Sequence, residues 1–131
     1  MNLSGVHMEI SGIEREALEF ILGASRSRRP QEFAGVLRAK NGVITEVLWP
    51  PETISSSRSA VMKLHMLPID PSTCGTVHSH PSGSASPSQE DLMLFAKYGR
   101  AHIIVAEPFD EHSWWAYDHR GKKIKLEVIE R

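Results

Sequence analysis

The sequence predicts an α/β fold, a single domain over residues 1–131 in which helices and a mixed central sheet form α-β-α layers. Three observations carry this expectation. Two segments repeat apolar residues at helical spacing, and about six or seven short runs have strand character. The 131 residues suit one hydrophobic core, since domains cluster near about 100–150 residues. Helical and strand runs interleave along the chain, which is the pattern of layered α/β domains.

The first element is a helix over about residues 12–27. Ser11-Gly12-Ile13-Glu14 fits a capping box, in which a serine oxygen and a glutamate carboxylate satisfy amides left unpaired at a helix start. Ile13, Ala17, Phe20, Ile21 and Ala24 then form one apolar stripe. Arg26, Arg28 and Arg29 read as a solvated basic end that complements the helix dipole, and Pro30 prevents continuation.

Residues 32–40 and 43–49 form a hairpin around Asn41-Gly42, the dipeptide that favours a two-residue type I′ turn. Pro50-Pro51-Glu52 and Ser55-Ser56-Ser57-Arg58 mark a loop. Residues 60–66 alternate as a third strand with Val61, Leu64 and Met66 inward, stopped by Pro68 and Pro71. Residues 74–80 are a fourth strand that runs into a Ser/Gly/Pro loop at 81–87.

The second helix begins with Ser86 as N-cap, Pro87 at the first helical position and Gln89 completing a capping box. Leu92, Phe95 and Ala96 supply its apolar face, and Gly99 closes it. The continuously apolar run 103–106 reads as a central strand. Residues 113–117 and 124–129 alternate around a turn at 118–122 as a closing hairpin.

Composition narrows the function classes. Fifteen basic residues against sixteen acidic leave a net charge of −1, without the basic footprint of a nucleic-acid or acidic-membrane binder. No run approaches the roughly 20 apolar residues of a membrane span. The first 25 residues lack a basic region followed by an unbroken apolar stretch, so a soluble, cytoplasmic protein is expected. The single cysteine, Cys74, forbids an intrachain disulfide or a multi-cysteine zinc knuckle. Seven histidines stand against it, so any metal here must be held by nitrogen and oxygen.

The chemistry concentrates in residues 78–91. In a strand, residues two apart project from the same face about 6.6 Å apart, so His78 and His80 can converge on one ion. A loop and the first turn of a helix then return Asp91. Two imidazoles and a carboxylate, with no fourth protein ligand, make the open arrangement that leaves a water on a catalytic zinc. The H-x-H pair by itself is weak, since seven histidines in 131 residues yield about 0.4 such pairs by chance. Its context is informative: the pair ends a strand, a ten-residue spacer follows, and a capped helix delivers the carboxylate.

These residues resemble the JAMM, or MPN+, zinc metalloproteases, whose motif is an upstream glutamate, then H-x-H, ten residues and aspartate, with a Pro-Ser pair before that aspartate. Pro87-Ser88 supplies the pair, and the spacing from His80 to Asp91 matches. Pro30-Gln31-Glu32-Phe33-Ala34-Gly35 is similar to the family's first-strand glutamate segment, and residues 102–105 to the strand after its second helix. The resemblance is closest to the small stand-alone archaeal type and covers nearly the whole chain. It implies a cytidine-deaminase-like JAB1/MPN fold and one Zn2+ per chain, held with a bound water by His78, His80 and Asp91. It also implies that Glu32 accepts that water's proton and passes it to the leaving amine, a task suited to a carboxylate, and that Ser88 donates a hydrogen bond to the oxyanion.

The remaining candidates read as structural. His7, His65, His102, His112 and His119 have no partner at ligand spacing. Cys74 is expected on the same strand face as His78 but about 13 Å away, as a small buried hydrophobe. Trp114 and Trp115 point to opposite faces of their strand, one into the core and the other free for an interface. Ser82, Ser84 and Ser86 are loop and cap residues rather than nucleophiles.

The family's members cut the peptide or isopeptide bond after the C-terminal tail of ubiquitin or ubiquitin-like proteins, so the resemblance implies such modifiers, or sulfur-carrier proteins with similar tails, as partners. A slim tail is expected to add as a strand at an exposed edge near residues 53–64. The stretch 99–117 leaves no room for a sizeable insertion, which favours a generalist. A zinc-free scaffold module is the rival class, opposed by the intact Glu32, His78, His80, Ser88 and Asp91 set. Cytidine deamination fails, since one cysteine cannot supply P-C-x-x-C.

Overall fold

The protein is described by a computed structural model that covers residues 9–49, 64 and 71–131. Besides Leu64, which is helical, the elements among these residues are eight strands in one sheet and two helices: β1 Gly12–Glu14, α1 Arg15–Arg28, β2 Ala34–Lys40, β3 Val43–Leu48, β4 Thr73–His80, α2 Gln89–Lys97, β5 Ala101–Ala106, β6 Trp114–Tyr117, β7 Lys123–Ile124 and β8 Glu127–Ile129. The sheet order is β7-β6-β5-β4-β2-β3-β1-β8. Pairings β1–β3, β1–β8 and β4–β5 are parallel and the rest antiparallel, so the sheet is mixed, as expected.

Period-two alternation divides the core. Leu37, Val77, Ala101, Ile103 and Val105 pack with Ala17, Leu18, Ile21 and Leu22 of α1 on one face. Ala34, Val36 and Leu64 pack with Leu94 and Tyr98, and Ile104 and Tyr117 with Phe95, on the other. Helix, sheet and helix form three layers. The strands β7 and β8 sit at opposite edges of the sheet, yet only residues 125 and 126 separate them in the chain. Three extended steps reach about 11 Å, so the sheet must curl until its edges approach, and Leu126 is buried in the α1-side core at that seam. The expected hairpin over 113–129 is therefore half correct: β6 and β7 pair, but β8 leaves to pair with β1.

The Asn41-Gly42 turn is as expected. Both residues have positive φ, 53° and 80°, as a type I′ turn requires.

Several local expectations are corrected. Gly12–Glu14 is a strand, not a first helical turn, because the sheet rather than a capping box satisfies its amides: Gly12 pairs with Val43 and with Glu127. Helix α1 starts at Arg15, and its N-cap Glu14 makes no side-chain cap bond. The buried stripe of α1 is Ala17, Leu18, Ile21, Leu22 and Ser25. Phe20, expected inward, is 40% exposed and lies against Trp49, the rings tilted by 32° with centroids 4.9 Å apart. The basic helix end is tied down rather than only solvated: Arg26 donates to Phe109 O at 2.7 Å, and Arg29 pairs with Glu107.

Leu64 is helical and fully buried against the α2-side core, so a strand with an exposed edge is wrong at that residue. Val61, Met66, His65, His7 and the rest of the expected segment 53–63 lie outside the described residues. Cys74 packs on the α1-side core, not on the face of His78. The ladder steps from Leu37↔Gly75 to Arg38↔Thr73, which leaves Cys74 as an extra residue in a bulge and turns its side chain over. Burial pushes its thiol up to about 12, an inert cysteine.

Candidate active site

Strand β4 lies between β2 and β5 and carries Thr76, His78 and His80 on the face that α2 covers. His78 is 1% exposed and His80 17% by side chain. Beyond β4 the loop is held at three points: His80 Nδ1 meets Ser84 O at 2.9 Å, Tyr117 OH donates to Ala85 O at 2.7 Å, and Glu107 N donates to Ser82 O at 3.4 Å. The Ser84 contact also sets the ring of His80, because a proton on Nδ1 leaves the Nε2 lone pair free.

The second helix is capped by Ser88, not Ser86. Ser88 Oγ accepts from Asp91 N at 3.0 Å, and Asp91 Oδ2 accepts from Ser88 N at 2.9 Å. This reciprocal box starts the helix at Gln89 and leaves Pro87 outside it. The buried stripe is accordingly Asp91, Leu94, Phe95 and Tyr98, an i, i+3, i+4, i+7 series, whereas Leu92 and Ala96 are exposed. Asp91 heads that inward stripe, so the helix aims its carboxylate at β4. Gly99 follows with φ +115°, where an added Cβ would meet Cys74 O at 2.5 Å, so a glycine closes the helix as expected.

The three side chains converge. His78 Nε2 lies 3.0 Å from Asp91 Oδ1, His80 Nε2 lies 3.2 Å from Asp91 Oδ2, and the two Nε2 atoms are 3.2 Å apart. Tetrahedral zinc with bonds of about 2.0–2.1 Å needs ligand separations of about 3.3 Å; the two Nε2 atoms stand near that spacing, each faces a different oxygen of Asp91, and one ligand atom from each residue falls within 4.8 Å of the others. Among the described residues this is the one His/Cys/Asp/Glu group compact enough to hold a metal ion, and its N, N, O donor set suits zinc without sulfur. Among the same residues His78 Nδ1 has no hydrogen-bond partner, so the ring is held by packing and, through Nε2, by Asp91.

The electrostatics favour a cation. Burial opposes the charge of Asp91, yet bonds from His78, His80 and the Ser88 amide outweigh it and hold the carboxyl well below its usual range. His80 is pushed up, first by its bond to Asp91, against burial, with Ser84 O and Glu32 adding to the rise.

The last contribution locates Glu32. It precedes β2 and is exposed. Ala34 pairs with His78 and Ser79 N donates to Phe33 O at 2.9 Å, so Glu32 stands one residue before the last of these contacts, near enough to His80 for its charge to act on that ring. Ser88 is used as an acceptor by Asp91, which leaves its hydroxyl proton to donate. All five residues singled out in the sequence are thus drawn toward one end of β4.

The other histidines among the described residues lie outside this group. His102 is buried, with Nε2 3.0 Å from Gly99 O, Nδ1 2.7 Å from Thr76 Oγ1, and its ring stacked on Phe95 at 4.4 Å. His112 and His119 are exposed. Trp114 packs on the core, while Trp115 is exposed. Tyr117, which pins the ligand loop, was not singled out from sequence; a tyrosine at a strand end carries no local sign of its distant acceptor.

The sequence family described as prokaryotic homologues of the JAB domain matches residues 14–117. A protein named "probable metalloprotease" from Haloferax volcanii is 36% identical over 132 residues, spanning 93% of this chain and 81% of that one. A JAB1/MPN domain protein from Archaeoglobus fulgidus, solved by crystallography, is 41% identical with a TM-score of 0.74 and covers 91% of this chain and 99% of its own. A structure reported as "JAMM: A Metalloprotease-like Zinc Site in the Proteasome and Signalosome" is 38% identical, with a TM-score of 0.74 and coverage of 92% and 99%.

Proposed function

The chain belongs to the family of prokaryotic JAB-domain homologues, and from that premise we propose that it is a zinc metalloprotease that cuts the peptide or isopeptide bond after the C-terminal tail of ubiquitin-like modifier proteins. The observation that carries the chemistry is the convergence of His78, His80 and Asp91 with ligand atoms 3.0–3.2 Å apart. Zinc bound there supplies Lewis acidity, which polarises a carbonyl and brings the ionisation of a bound water near neutral pH.

The chain's own residues supply the rest. Glu32 accepts the proton released as water attacks the scissile carbonyl carbon, and returns it to the leaving nitrogen as the C–N bond breaks, so one carboxylate serves as base and then as acid. Ser88 donates a hydrogen bond from its hydroxyl to the developing oxyanion. The N-cap geometry fixes this donor in advance, so no reorganisation is needed at the moment of reaction.

The substrate class rests on the resemblance to the JAMM proteases and on the short β5–β6 connection, residues 107–113, which carries no large element for selecting one linkage. Processing of sulfur-carrier proteins with similar tails is the alternative within the same chemistry. No helix among the described residues is long and apolar enough to cross a membrane, and a cytoplasmic site of action is part of the proposal. The test is incubation of the zinc-loaded protein with linear fusions of a ubiquitin-like modifier or a sulfur carrier to a reporter, read by mass. One cut after the tail is expected. Scattered cleavage of unfolded protein with every fusion left intact would overturn the modifier reading.

A further inference from the structure

Between the two ligand histidines stands Ser79, which the chemistry above does not use. It is fully buried and, by strand alternation, points away from His78 and His80. Its hydroxyl has a specific task. Phe33 N donates to Ser79 Oγ at 2.8 Å, while Ser79 N donates to Phe33 O at 2.9 Å. In a regular antiparallel pair both bonds run between backbone groups. Here the serine side chain takes the place of its own carbonyl, just where β2 begins.

Residue 33 is thereby held on three sides. Its amide and carbonyl are both bound to Ser79, and the residue, 5% exposed, packs in the α1-side core. The next residue toward the N-terminus is Glu32, exposed and outside any regular element. An exposed carboxylate on an irregular segment is free to wander unless its neighbour is fixed. A displacement of about 1 Å at a reacting group can cost about 10²-fold in rate.

We infer that Ser79 is a positioning residue: its paired bonds to Phe33 hold the backbone of Glu32 at the place from which the carboxylate faces the metal-ligand end of β4. The inference rests on the proposed role of Glu32. It requires a small hydroxyl residue between the histidines, since alanine cannot accept from the Phe33 amide and would leave a buried donor unpaired.

The experiment compares wild type, Ser79→Ala, Ser79→Thr and Glu32→Gln. Zinc content, backbone order parameters and exchange protection at residues 32 and 33, and kcat and KM on a linear modifier–reporter fusion are measured for each. Ser79→Ala is expected to keep its zinc, lose protection at Phe33, show a lower order parameter at Glu32, and lose roughly 10–100-fold in kcat with KM little changed. Ser79→Thr, which keeps the acceptor, is expected to restore order and kcat together. Wild-type order at Glu32 in Ser79→Ala overturns the inference, whatever the activity. A loss that tracks zinc loss or unfolding and is not restored by threonine overturns it as well. Wild-type cleavage by Glu32→Gln, or none by wild type, sinks the functional reading instead, and the order parameters then decide the Ser79 contact by themselves.

Discussion

Ser88 and Asp91 cap each other: the backbone amide of each donates to the side chain of the other, at 2.9 and 3.0 Å. The carboxylate that starts helix α2 is therefore the same one that faces His78 and His80, and metal binding and helix formation share a residue. Asp91→Ala is expected to abolish zinc binding and to cost about 1 kcal/mol of stability in the metal-free protein through the lost cap. Zinc analysis and urea unfolding in the presence of a chelator check the two effects separately; zinc loss with unchanged metal-free stability would show that the box contributes nothing to the helix.

Glu32 lies outside the ligand triad. Glu32→Gln is expected to bind zinc as wild type does while cleavage of a modifier fusion falls below detection, because the amide cannot take up a proton. Metal analysis and a fusion-cleavage assay on one preparation read both. Residual cleavage near the wild-type rate would remove its assigned role.

Ser88→Ala removes both a helix cap and the proposed oxyanion donor. A drop of about 10²–10³ in kcat is expected, with a fall in stability of about 1 kcal/mol. Ser88→Asp keeps the cap but cannot donate, so it separates the two losses: its stability should recover while kcat stays low.

His102 makes acid destabilising. Burial pulls its pKa down to about 4, against bonds that favour the charged ring, so between that value and about 6.5 the unfolded chain binds the extra proton and the native state does not. The associated stability is complete above about pH 6.5 and is lost as pH falls toward 4, by about 2 kcal/mol between pH 7 and pH 5. Denaturant midpoints for wild type and His102→Gln at the two pH values test this. The wild-type fall should exceed that of the variant by about that amount, and parallel falls would refute it.

Gly75 marks the closest approach in the sheet. A Cβ placed there would lie 1.5 Å from Ala101 O, on backbone that cannot yield without parting β4 from β5. Gly75→Ala is expected to cost about 3 kcal/mol or more, above the usual range for overpacking, and to lower Tm accordingly. An unchanged Tm would mean that the two strands are less tightly apposed.

Much of the site was legible because its motif is local. His78, His80 and Asp91 fall within fourteen consecutive residues, and strand, loop and helix each announce themselves by spacing, turn residues and capping groups. The Asn41-Gly42 turn was legible for the same reason, since two adjacent side chains decide its φ angles. What was hidden depends on distant chain. Gly12–Glu14 is extended because Glu127–Ile129 lies beside it, and no local signal competes with that pairing. The choice of Ser88 over Ser86 as cap turned on which serine had a carboxylate three residues on that also faced inward. Phe20 fitted the apolar stripe of α1 by type but not by angle, and the aromatic contacts with Phe33 and Trp49 that accept it come from other elements.

A mononuclear zinc centre on His78, His80 and Asp91 underlies the proposed chemistry, and metal analysis of the purified protein is its plainest test. About one zinc per chain is predicted, lost in the His78→Ala/His80→Ala variant while the fold persists. A fully folded wild type that takes up no zinc, or a double variant that retains it, would rule out a metal centre on these three residues.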